Sequence, residues 1–317
     1  MTSLPEAVVL FGAGGFVGRN IVEALRGRTH LVGVTATGAP VAGCDVTWPV
    51  DRLHECAALP AGSAIINVAA KRYVASRFGA EQAEILAANM AVTEAVYRFA
   101  LARGITEVRA ASSAAVYPAS WAVLDDTQPL DLNAWPHEGE AAYGWSKRWA
   151  EIAAELWRRR AGVNTISLRL SNPFGPFDTL DEAEAHVATA FVIRAVQGQG
   201  PFAVRGDPDA ERDFVFAGDV VAAFVESLTL TGVNEAVNCA QGSTTTVREL
   251  ASAAMRAAGQ DRPLALTPPP PGGFQGVKVR RATGGRLHAL LPQLAPFRGL
   301  DEGLRLTMEW YRDALRG

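Results

Sequence analysis

The sequence is poor in cysteine and shows no cysteine pairing pattern. Among its 317 residues only Cys44, Cys56 and Cys239 are cysteines, and none belongs to a CxxC pair. An odd number of scattered cysteines argues against a disulfide framework and against a zinc site. We therefore predict small buried cysteines, a reducing compartment and no bound metal.

The sequence also has no long hydrophobic run and no strong excess of one charge. A membrane span needs about 18 or more apolar residues, and the apolar run at 7–11 is too short even for the core of a signal peptide. The net charge of -3 gives no broad basic surface for nucleic acid. We predict a cytoplasmic protein that binds neither membranes nor nucleic acid, and whose ligand is a small anion.

What the chain does contain is a regular alternation of apolar runs and amphipathic stretches. Amphipathic stretches at 20–26, 80–103 and 143–160 separate apolar runs, which lie at 8–11, 31–34, 64–68, 107–111 and 165–170. Strands that alternate with helices build a parallel sheet covered by helices on both faces. The pattern predicts an α/β protein with a doubly wound parallel sheet.

The composition changes after residue 172, where glycine and proline become more frequent. The segment 213–228 nevertheless has the pattern of a strand and a helix that return to the first domain. We predict a first domain of residues 1–172 plus about 213–240, and a smaller second domain of residues 173–212 and about 241–317. An amphipathic helix at 300–315 ends the second domain, and its packing partner is not predicted.

A glycine-rich loop directly follows the first predicted strand and precedes the first predicted helix. Its positions are Gly12, Gly15, Phe16, Val17 and Gly18. Glycine permits positive φ and a close approach of the backbone to a pyrophosphate, while the helix N-terminus offers unpaired N–H groups to the anion. A plain glycine-rich turn is the alternative, but the flanking strand and helix favour a dinucleotide-binding loop.

A tyrosine and a lysine are spaced for proton transfer. Tyr143 and Lys147 lie four residues apart, so on one helix both side chains occupy the same face. A free phenol has a pKa of about 10, and a neighbouring ammonium lowers it. We predict that Lys147 lowers the pKa of Tyr143, which acts as acid and base, and that Ser113 hydrogen-bonds the same substrate oxygen.

Six segments together resemble the extended short-chain dehydrogenase/reductases, the NAD-dependent epimerase/dehydratase family. They are the glycine loop, Asn67 to Ala70, Ser112 to Pro118, Tyr143 to Lys147, Arg169 to Pro176 and Arg212 to Val220. The resemblance extends along nearly the whole chain. It implies a Rossmann-type domain that binds NAD or NADP, a smaller C-terminal α/β domain that binds a nucleotide-diphosphate sugar, and a homodimer.

The resemblance also implies contacts with the adenosine part of the cofactor. Thr35 takes the position of the acid that binds the ribose hydroxyl of NAD, and no arginine for the 2′-phosphate of NADP follows it, so the two cofactors are not distinguished. Asp45 and Val46 resemble the family's acid-plus-aliphatic pair at the adenine. Asp45 is alternatively a solvated turn residue.

Further cofactor contacts are implied at the next strand and on the long helix. Ala69 and Ala70 end the third apolar run, and Tyr143 and Lys147 reach the nicotinamide ribose in the family. Asn89 completes a proton relay or touches the cofactor in this interpretation. It is alternatively an asparagine on the helix surface.

In the family an asparagine and an arginine face the nucleotide diphosphate. These residues correspond to Asn172 and Arg212 here, although Arg212 alternatively pairs with Asp213 or Asp219 on the surface. Arg280 and Arg281 lie in a segment that departs from the family pattern, and we assign them no role.

The stretch from residue 175 to 194 most resembles GDP-fucose synthase. His186 matches that enzyme's epimerising histidine, and an imidazole with a pKa near its ordinary value of about 6.5 exchanges protons at neutral pH. Val187 and Arg194 fall in the same stretch and are predicted to contact the substrate. The partner cysteine of that enzyme is replaced by Ala115, and His186 is alternatively structural.

The predicted reaction is hydride transfer at C4 of a nucleotide-diphosphate hexose, with a 4-ketoreductase favoured. A 4-epimerase with tightly bound NAD is the main alternative, and a catalytically silent dinucleotide-binding protein is a third possibility. Dehydratases of the family place an Asp-Glu pair where this chain has Ala114 and Ala115, so dehydration would need other acids, such as Asp125 or Asp126.

Dimerisation is predicted through the stretches 80–103 and 143–160, which form a four-helix interface in many relatives. Trp145, Trp149 and Trp157 lie in the second stretch and serve that interface or pack in the core.

Overall fold

A central parallel sheet organises the molecule, which we describe from a computed structural model covering residues 4–72, 81–198, 200–268 and 277–316. Its strands are β1 (Ala7–Phe11), β2 (His30–Thr35), β3 (Val46–Pro49), β4 (Ala64–Asn67), β5 (Glu107–Ser113), β7 (Asn164–Leu170) and β12 (Glu235–Cys239). Their spatial order is β12-β7-β5-β4-β1-β2-β3, and every neighbouring pair is parallel. All five residues of β1 are buried, as expected for a strand covered on both faces.

The helices are longer than their predicted stretches in two cases. They are α1 (Phe16–Leu25), α2 (Gln82–Arg103), α3 (Ala141–Ala161), α4 (Val187–Gln197), α5 (Ala217–Ser227), α6 (Val247–Ala258), α7 (Gly285–Leu290) and α8 (Leu300–Ala314). Helix α1 begins directly after the glycine loop, and α3 begins two residues before Tyr143. Gly104 and Gly162 end α2 and α3 in the left-handed conformation that glycine adopts without strain. Residue 80, the predicted start of α2, lies outside the described residues.

Helices cover the sheet on both faces. On one face α1 packs against α5, and on the other α2 packs against α3. The prediction of a Rossmann-type doubly wound sheet is confirmed. Helix α2 is the one helix among the described residues that is long and apolar enough to cross a membrane, but the core helix of a soluble protein passes the same test.

Shorter strands and the helices α4, α6 and α8 build a second region, whereas α7 packs against β12 and the core of the central sheet. The strands are β6 (Val123–Leu124), β8 (Pro173–Phe174), β9 (Phe202–Arg205), β10 (Glu211–Arg212), β11 (Val215–Phe216), β13 (Thr245–Thr246), β14 (Leu264–Thr267) and β15 (Val279–Ala282). They form a four-stranded sheet, β13-β10-β15-β6, and the pairs β11-β8 and β14-β9. Helix α8 packs against α4, α6 and β11, which supplies the partner that the sequence left open.

Strand register places the predicted site residues at one edge of the central sheet. Phe11 pairs with Asn67, and Ser113 pairs with Leu170. The carboxyl ends of β1, β4, β5 and β7 therefore lie side by side. This is the edge at which parallel α/β sheets bind ligands.

Candidate active site

The glycine loop is packed so tightly that it tolerates no side chain at two positions. Gly12 has a φ of 85°, and a Cβ there would lie 2.7 Å from the backbone nitrogen of Ala69. A Cβ on Gly18 would overlap the carbonyl oxygen of Gly12. The Gly15 N–H donates to that same oxygen at 3.0 Å and closes the turn. The first N–H groups of α1 are thereby presented at the mouth of the loop.

A cavity of about 450 Å³ lies in front of this loop. It is lined by Gly12, Gly15, Phe16, Val17, Gly18, Val68, Ala69, Ala70, Arg72, Ala111, Ser112, Ser113, Tyr143, Lys147, Leu170, Asn172, Pro173 and His186. The size falls within the range of ordinary ligand sites. A glycine cradle, a helix N-terminus and an apolar wall together fit a dinucleotide, so the residues present agree with the predicted cofactor.

Of the three residues predicted to contact the adenosine part of the cofactor, only Thr35 lies beside the glycine loop. Thr35 ends β2 beside the loop, since a Cβ on Gly14 would lie 3.7 Å from its Cγ2. Asp45 lies elsewhere, because its carboxylate accepts from the Leu31 N–H at 2.7 Å and lies 3.3 Å from His30, at the amino end of β2. Val46 pairs with Val32 inside the sheet. The structure therefore does not bring Asp45 and Val46 to the cofactor edge.

Asn89 also has a different task from the one predicted. Its side chain is buried in α2, accepts from the Lys71 N–H at 2.7 Å and donates to the Lys71 carbonyl at 3.0 Å. It also donates to the Ser146 hydroxyl at 3.1 Å, and Ser146 donates to the Tyr143 carbonyl. Asn89 thus fixes the loop after β4 against the catalytic helix, and it does not line the cavity.

Ser113 and Tyr143 meet as predicted. Ser113 is the last residue of β5, Tyr143 lies in the first turn of α3, and their hydroxyls are hydrogen-bonded. Burial, with a smaller contribution from the Glu140 charge, raises the pKa of Tyr143 to about 12, while Ser113 and Arg72 act in the opposite direction. At neutral pH the phenol is therefore protonated and ready to donate.

Lys147 lies beside the tyrosine on the same helix. The ammonium donates to the Ala111 carbonyl at 2.7 Å and lies 5.6 Å from the centre of the Tyr143 ring. Burial lowers the pKa of Lys147 itself to about 8, and the charge of Glu151 opposes this shift. Burial of the phenol thus keeps the pKa of Tyr143 above its ordinary value, and the lowering of that pKa by Lys147 stays a prediction.

A buried ion pair supports the catalytic helix from behind. The Glu151 carboxylate pairs with Arg169 of β7 at 2.7 Å and accepts from the Ser112 hydroxyl at 2.6 Å. Arg169 also donates to the Tyr117 hydroxyl at 2.9 Å. Sequence reasoning did not assign these residues, although Glu151 follows Lys147 at the same helical spacing that links Lys147 to Tyr143.

A second cavity of about 320 Å³ adjoins the first. The two share Arg72, Ser113, Leu170, Asn172, Pro173 and His186. The remaining lining residues of the second are Ala114, Ala115, His137, Glu140, Glu184, Ala185, Val187, Ala188, Arg212, Phe214, Val277 and Arg280. Ser113 therefore stands where a cofactor cavity opens into a space of sugar size.

His186 faces this junction and is held by a carboxylate. Its Nδ1 lies 2.9 Å from the buried Asp178 carboxylate, and its ring centroid lies 6.0 Å from that of Phe16. Burial opposes ionisation of Asp178, but the hydrogen bond and charge of His186, with Arg72, hold the pKa of that carboxyl below its usual range. This contact with Asp178 fixes the orientation of the imidazole where it lines both cavities.

Asn172 and Arg212 line the second cavity, as predicted for substrate contacts. Asn172 adopts a positive φ of 30°, and its amide donates to the Asp213 carbonyl at 2.9 Å. The Arg212 guanidinium donates to the Glu211 carbonyl at 2.8 Å. Of the two acids offered as alternative partners, Asp213 accepts two backbone N–H groups and Asp219 pairs with Arg298.

Arg194 is a correction to the predicted substrate contacts. Its guanidinium pairs with Glu182 and stacks over the rings of Phe191 and Phe202, at 5.2 and 5.5 Å from their centroids. It also donates to the Ala203 carbonyl, and it lines neither cavity. Arg194 lies seven residues, or about two helical turns, beyond Val187 on the same helix, so its distance along the helix takes it away from the cavity that Val187 lines.

The two acids that were considered for dehydration, Asp125 and Asp126, do not line the active-site cavities. Asp126 is buried and accepts from the Asn238 N–H at 2.8 Å and the Thr283 hydroxyl at 3.1 Å. Asp125 is partly exposed, and its carboxylate accepts from the Thr127 N–H in a turn. Neither lines the two cavities, where Ala114 and Ala115 follow Ser113.

Comparisons with known proteins agree with this geometry. The model of the NAD dependent epimerase/dehydratase family matches residues 8–240. The chain is 25% identical to GDP-mannose 3,5-epimerase of Arabidopsis thaliana, over 97% of this chain and 82% of the plant enzyme.

Solved structures share the fold along the whole chain. UDP-glucose 4-epimerase of Thermotoga maritima, determined with UDP-glucose, has a TM-score of 0.83 at 24% identity, covering 98% of this chain and 99% of that one. A GDP-L-fucose synthetase from Naegleria fowleri has a TM-score of 0.78 at 14% identity, covering 99% and 96%. At these identities the likeness concerns the fold.

Proposed function

Since the chain belongs to the NAD dependent epimerase/dehydratase family, a family of enzymes, we propose that it transfers hydride at C4 of a nucleotide-diphosphate hexose. The direction we favour is reduction of a 4-keto sugar. The observation that carries this proposal is the hydrogen-bonded pair of Ser113 and Tyr143 at the junction of the two cavities. A protonated phenol is the acid that a ketone oxygen needs when C4 accepts hydride.

The side chains divide the reaction between them. Ser113 donates to the C4 oxygen and orients it, and Tyr143 delivers its proton to that oxygen. Lys147, charged below a pKa of about 8, stabilises the phenolate that remains. NADH or NADPH, when bound in the larger cavity, would supply the hydride and be left as NAD or NADP.

The second cavity offers charged groups for the rest of the substrate. Asn172 and Arg212 suit a diphosphate, because guanidinium groups bind phosphate oxygens in a bidentate manner. His186, oriented by Asp178, suits proton exchange at a carbon beside the 4-ketone. Ala115 carries no proton, so this exchange would be a single-residue side reaction here.

A 4-epimerase is the second candidate. It would use the same Ser113, Tyr143 and Lys147, and the alanines at 114 and 115 favour chemistry confined to C4. The difference lies in the cofactor, which a reductase exchanges with solution and a 4-epimerase keeps.

One experiment separates the candidates. Nucleotide released by acid from the purified protein is identified by mass. The protein is then given GDP- and UDP-linked 4-keto-6-deoxy hexoses with NADPH or NADH and, separately, GDP- and UDP-linked hexoses with a C4 hydroxyl and no added cofactor. Stoichiometric loss of nicotinamide absorbance supports the reductase. Retained NAD with C4 interconversion and no net oxidation supports the epimerase instead, and absence of both reactions with every sugar contradicts the proposed function.

We further propose a homodimer built on α2 and α3. Leu101, Ile152 and Leu156 are 54%, 38% and 52% exposed on these helices, whereas Trp157 stacks on Tyr97 in the core. Exposed apolar side chains of this kind mark association surfaces. Leu156→Asp should yield monomers in light scattering, while Leu132→Asp, an exposed leucine outside both helices, should leave the dimer intact.

A further inference from the structure

A row of buried polar side chains crosses the central sheet one residue behind its active-site edge. Ser112 of β5 pairs in register with Arg169 of β7, which in turn pairs with Asn238 of β12. Partners in a parallel sheet project on the same face, and these three residues are at most 6% exposed. The next row, Ser113 and Leu170, already lines both cavities. Because buried polar groups are costly unless they are bonded, the row needs partners.

Glu151 supplies such a partner from the catalytic helix α3. Its carboxylate accepts two N–H groups of Arg169, at 2.9 and 2.7 Å, and the Ser112 hydroxyl at 2.6 Å. The Glu151 and Arg169 side chains are 12% and 7% exposed. A buried ion pair is weak evidence for stability, because desolvation offsets much of the attraction. A bidentate pair does fix geometry, and this one fixes a helix to two strands.

Helix α3 holds the end of β5 from three successive turns. Residues 143, 147 and 151 lie four apart and therefore face the strand together. The Tyr143 hydroxyl is bonded to Ser113, and Lys147 donates to the Ala111 carbonyl at 2.7 Å. The third turn carries Glu151, which lines neither cavity. Any effect of its carboxylate on the reaction must pass through the strand that it holds.

We propose that Glu151 is a positioning residue, which acts through the Ser112 hydroxyl to fix the end of β5 against α3. The place of the Ser113 hydroxyl beside the Tyr143 phenol depends on this bond. Arg169 holds the carboxylate in the orientation that reaches Ser112. The inference rests on the proposed function, because the C4 oxygen of the sugar has to meet both catalytic hydroxyls at once, and a small misplacement of such groups slows a reaction strongly.

Two matched substitutions separate positioning from stability. Ser112→Ala cuts the bond between Glu151 and β5 but keeps the ion pair with Arg169. Tyr117→Phe is the control, because the buried Tyr117 hydroxyl accepts from Arg169 at 2.9 Å and donates to Asn238 at 2.8 Å, without a bond to β5. Each variant loses one buried hydroxyl beside the same guanidinium or its carboxylate, so both should lower the melting temperature.

The first readout is the fluorine resonance of Tyr143 in full-length protein labelled with 3-fluorotyrosine, with no sugar present. The chain has five tyrosines, and a Tyr143→Phe variant identifies the resonance. A fluorine beside the phenol hydroxyl senses the hydrogen bond of that hydroxyl, so Ser112→Ala should shift or broaden the resonance. Tyr117→Phe should leave it in place. Circular dichroism checks that each variant is folded.

Steady-state kinetics supply the second readout. Ser112→Ala should lower kcat by about tenfold or more, with KM for the sugar and Kd for the nicotinamide cofactor nearly unchanged. Tyr117→Phe should keep the kcat of the parent protein. Ser112 also lines the cofactor cavity, so a loss of cofactor affinity as large as the loss of kcat would show a direct effect there and would overturn the proposal. An unchanged kcat in Ser112→Ala would overturn it too.

A moved Tyr143 resonance in Ser112→Ala and an unmoved one in Tyr117→Phe support the proposal, even if the parent protein turns over no sugar. An unmoved resonance in folded Ser112→Ala protein overturns it. Equal movement in both variants also overturns it, because it indicates a general loosening of the fold. Hydride transfer by the parent together with an unmoved resonance keeps the proposed function and rejects this inference.

Discussion

The two cavities differ in how the chain builds them. The cofactor cavity is formed largely by residues at the carboxyl ends of β1, β4, β5 and β7 and by the first turns of α1 and α3. The substrate cavity collects single side chains from widely separated segments, among them His137, Glu184 and Arg280. The first is dictated by backbone geometry and the second by side-chain pairing. Substitutions in the first cavity should therefore change cofactor binding and folding, and substitutions in the second should change substrate binding.

The largest difference between an effect on turnover and an effect on cofactor binding should come from substitution of Tyr143, which lies where the two cavities meet. Tyr143→Phe removes the proton donor but keeps the ring, so we expect turnover to fall by about 10²–10⁴-fold, the usual range for general acid catalysis. Cofactor affinity, measured by fluorescence titration with NADH and NADPH, should change little. An unchanged turnover would contradict the role of Tyr143 as the proton donor.

A substitution in the glycine loop should lower both the stability of the fold and the affinity for the cofactor. Gly12→Ala adds backbone strain at a φ of 85° and a contact of 2.7 Å with Ala69, so we expect about 2–4 kcal/mol of destabilisation and weaker cofactor binding. Gly27→Ala is the matched control, since Gly27 also has a positive φ, of 69°, but nothing within 4 Å. Urea unfolding of both variants checks this, and equal losses would contradict the tight packing of the loop.

Two arginines should distinguish a substrate contact from a packing residue. Arg212→Ala removes charged hydrogen bonds to the substrate worth about 1.5–3 kcal/mol, so KM should rise by about tenfold or more. Arg194→Ala should lower the melting temperature and leave KM nearly unchanged, because Arg194 packs on Phe191 and Phe202. Steady-state kinetics and thermal unfolding test the pair, and a KM effect confined to Arg194→Ala would reverse the assignment.

The smallest effect should be a pH dependence set by Lys147. The charged ammonium is present below its pKa of about 8 and is lost as the pH rises through that value. Reduction should therefore be half-lost near this pH and decline further above it, while Tyr143, with a pKa of about 12, remains protonated. The pH profile of kcat measures this. A plateau that extends to pH values well above the lysine pKa would contradict the role of the ammonium.

The same contrast explains what the sequence could predict. The doubly wound sheet, the glycine loop and the Ser113, Tyr143 and Lys147 group follow from periodicity, glycine geometry and helical spacing, which are local properties. Strand order then brings Ser113 to the same edge as the loop. Such features are readable because the backbone alone determines them.

Tertiary pairing accounts for the predictions that failed or were missing. Asp45 binds the Leu31 backbone, and Arg194 finds Glu182 and two rings. The raised pKa of Tyr143 depends on burial, which no spacing rule reveals. The pair of Glu140 and Arg280 joins positions far apart in the chain, and no pattern in one sequence connects them.

The placement of β12 bears on how the protein is made. This strand comes from residues 235–239 yet covers the edge of β7, which ends at Leu170. During synthesis, β7 therefore leaves the ribosome with one row of backbone groups unpaired until more than sixty further residues have been added. An uncovered strand edge invites pairing with other chains. A nascent chain that stalls before β12 is thus expected to be prone to aggregation. Pairing of β12 with β7 then covers the exposed edge.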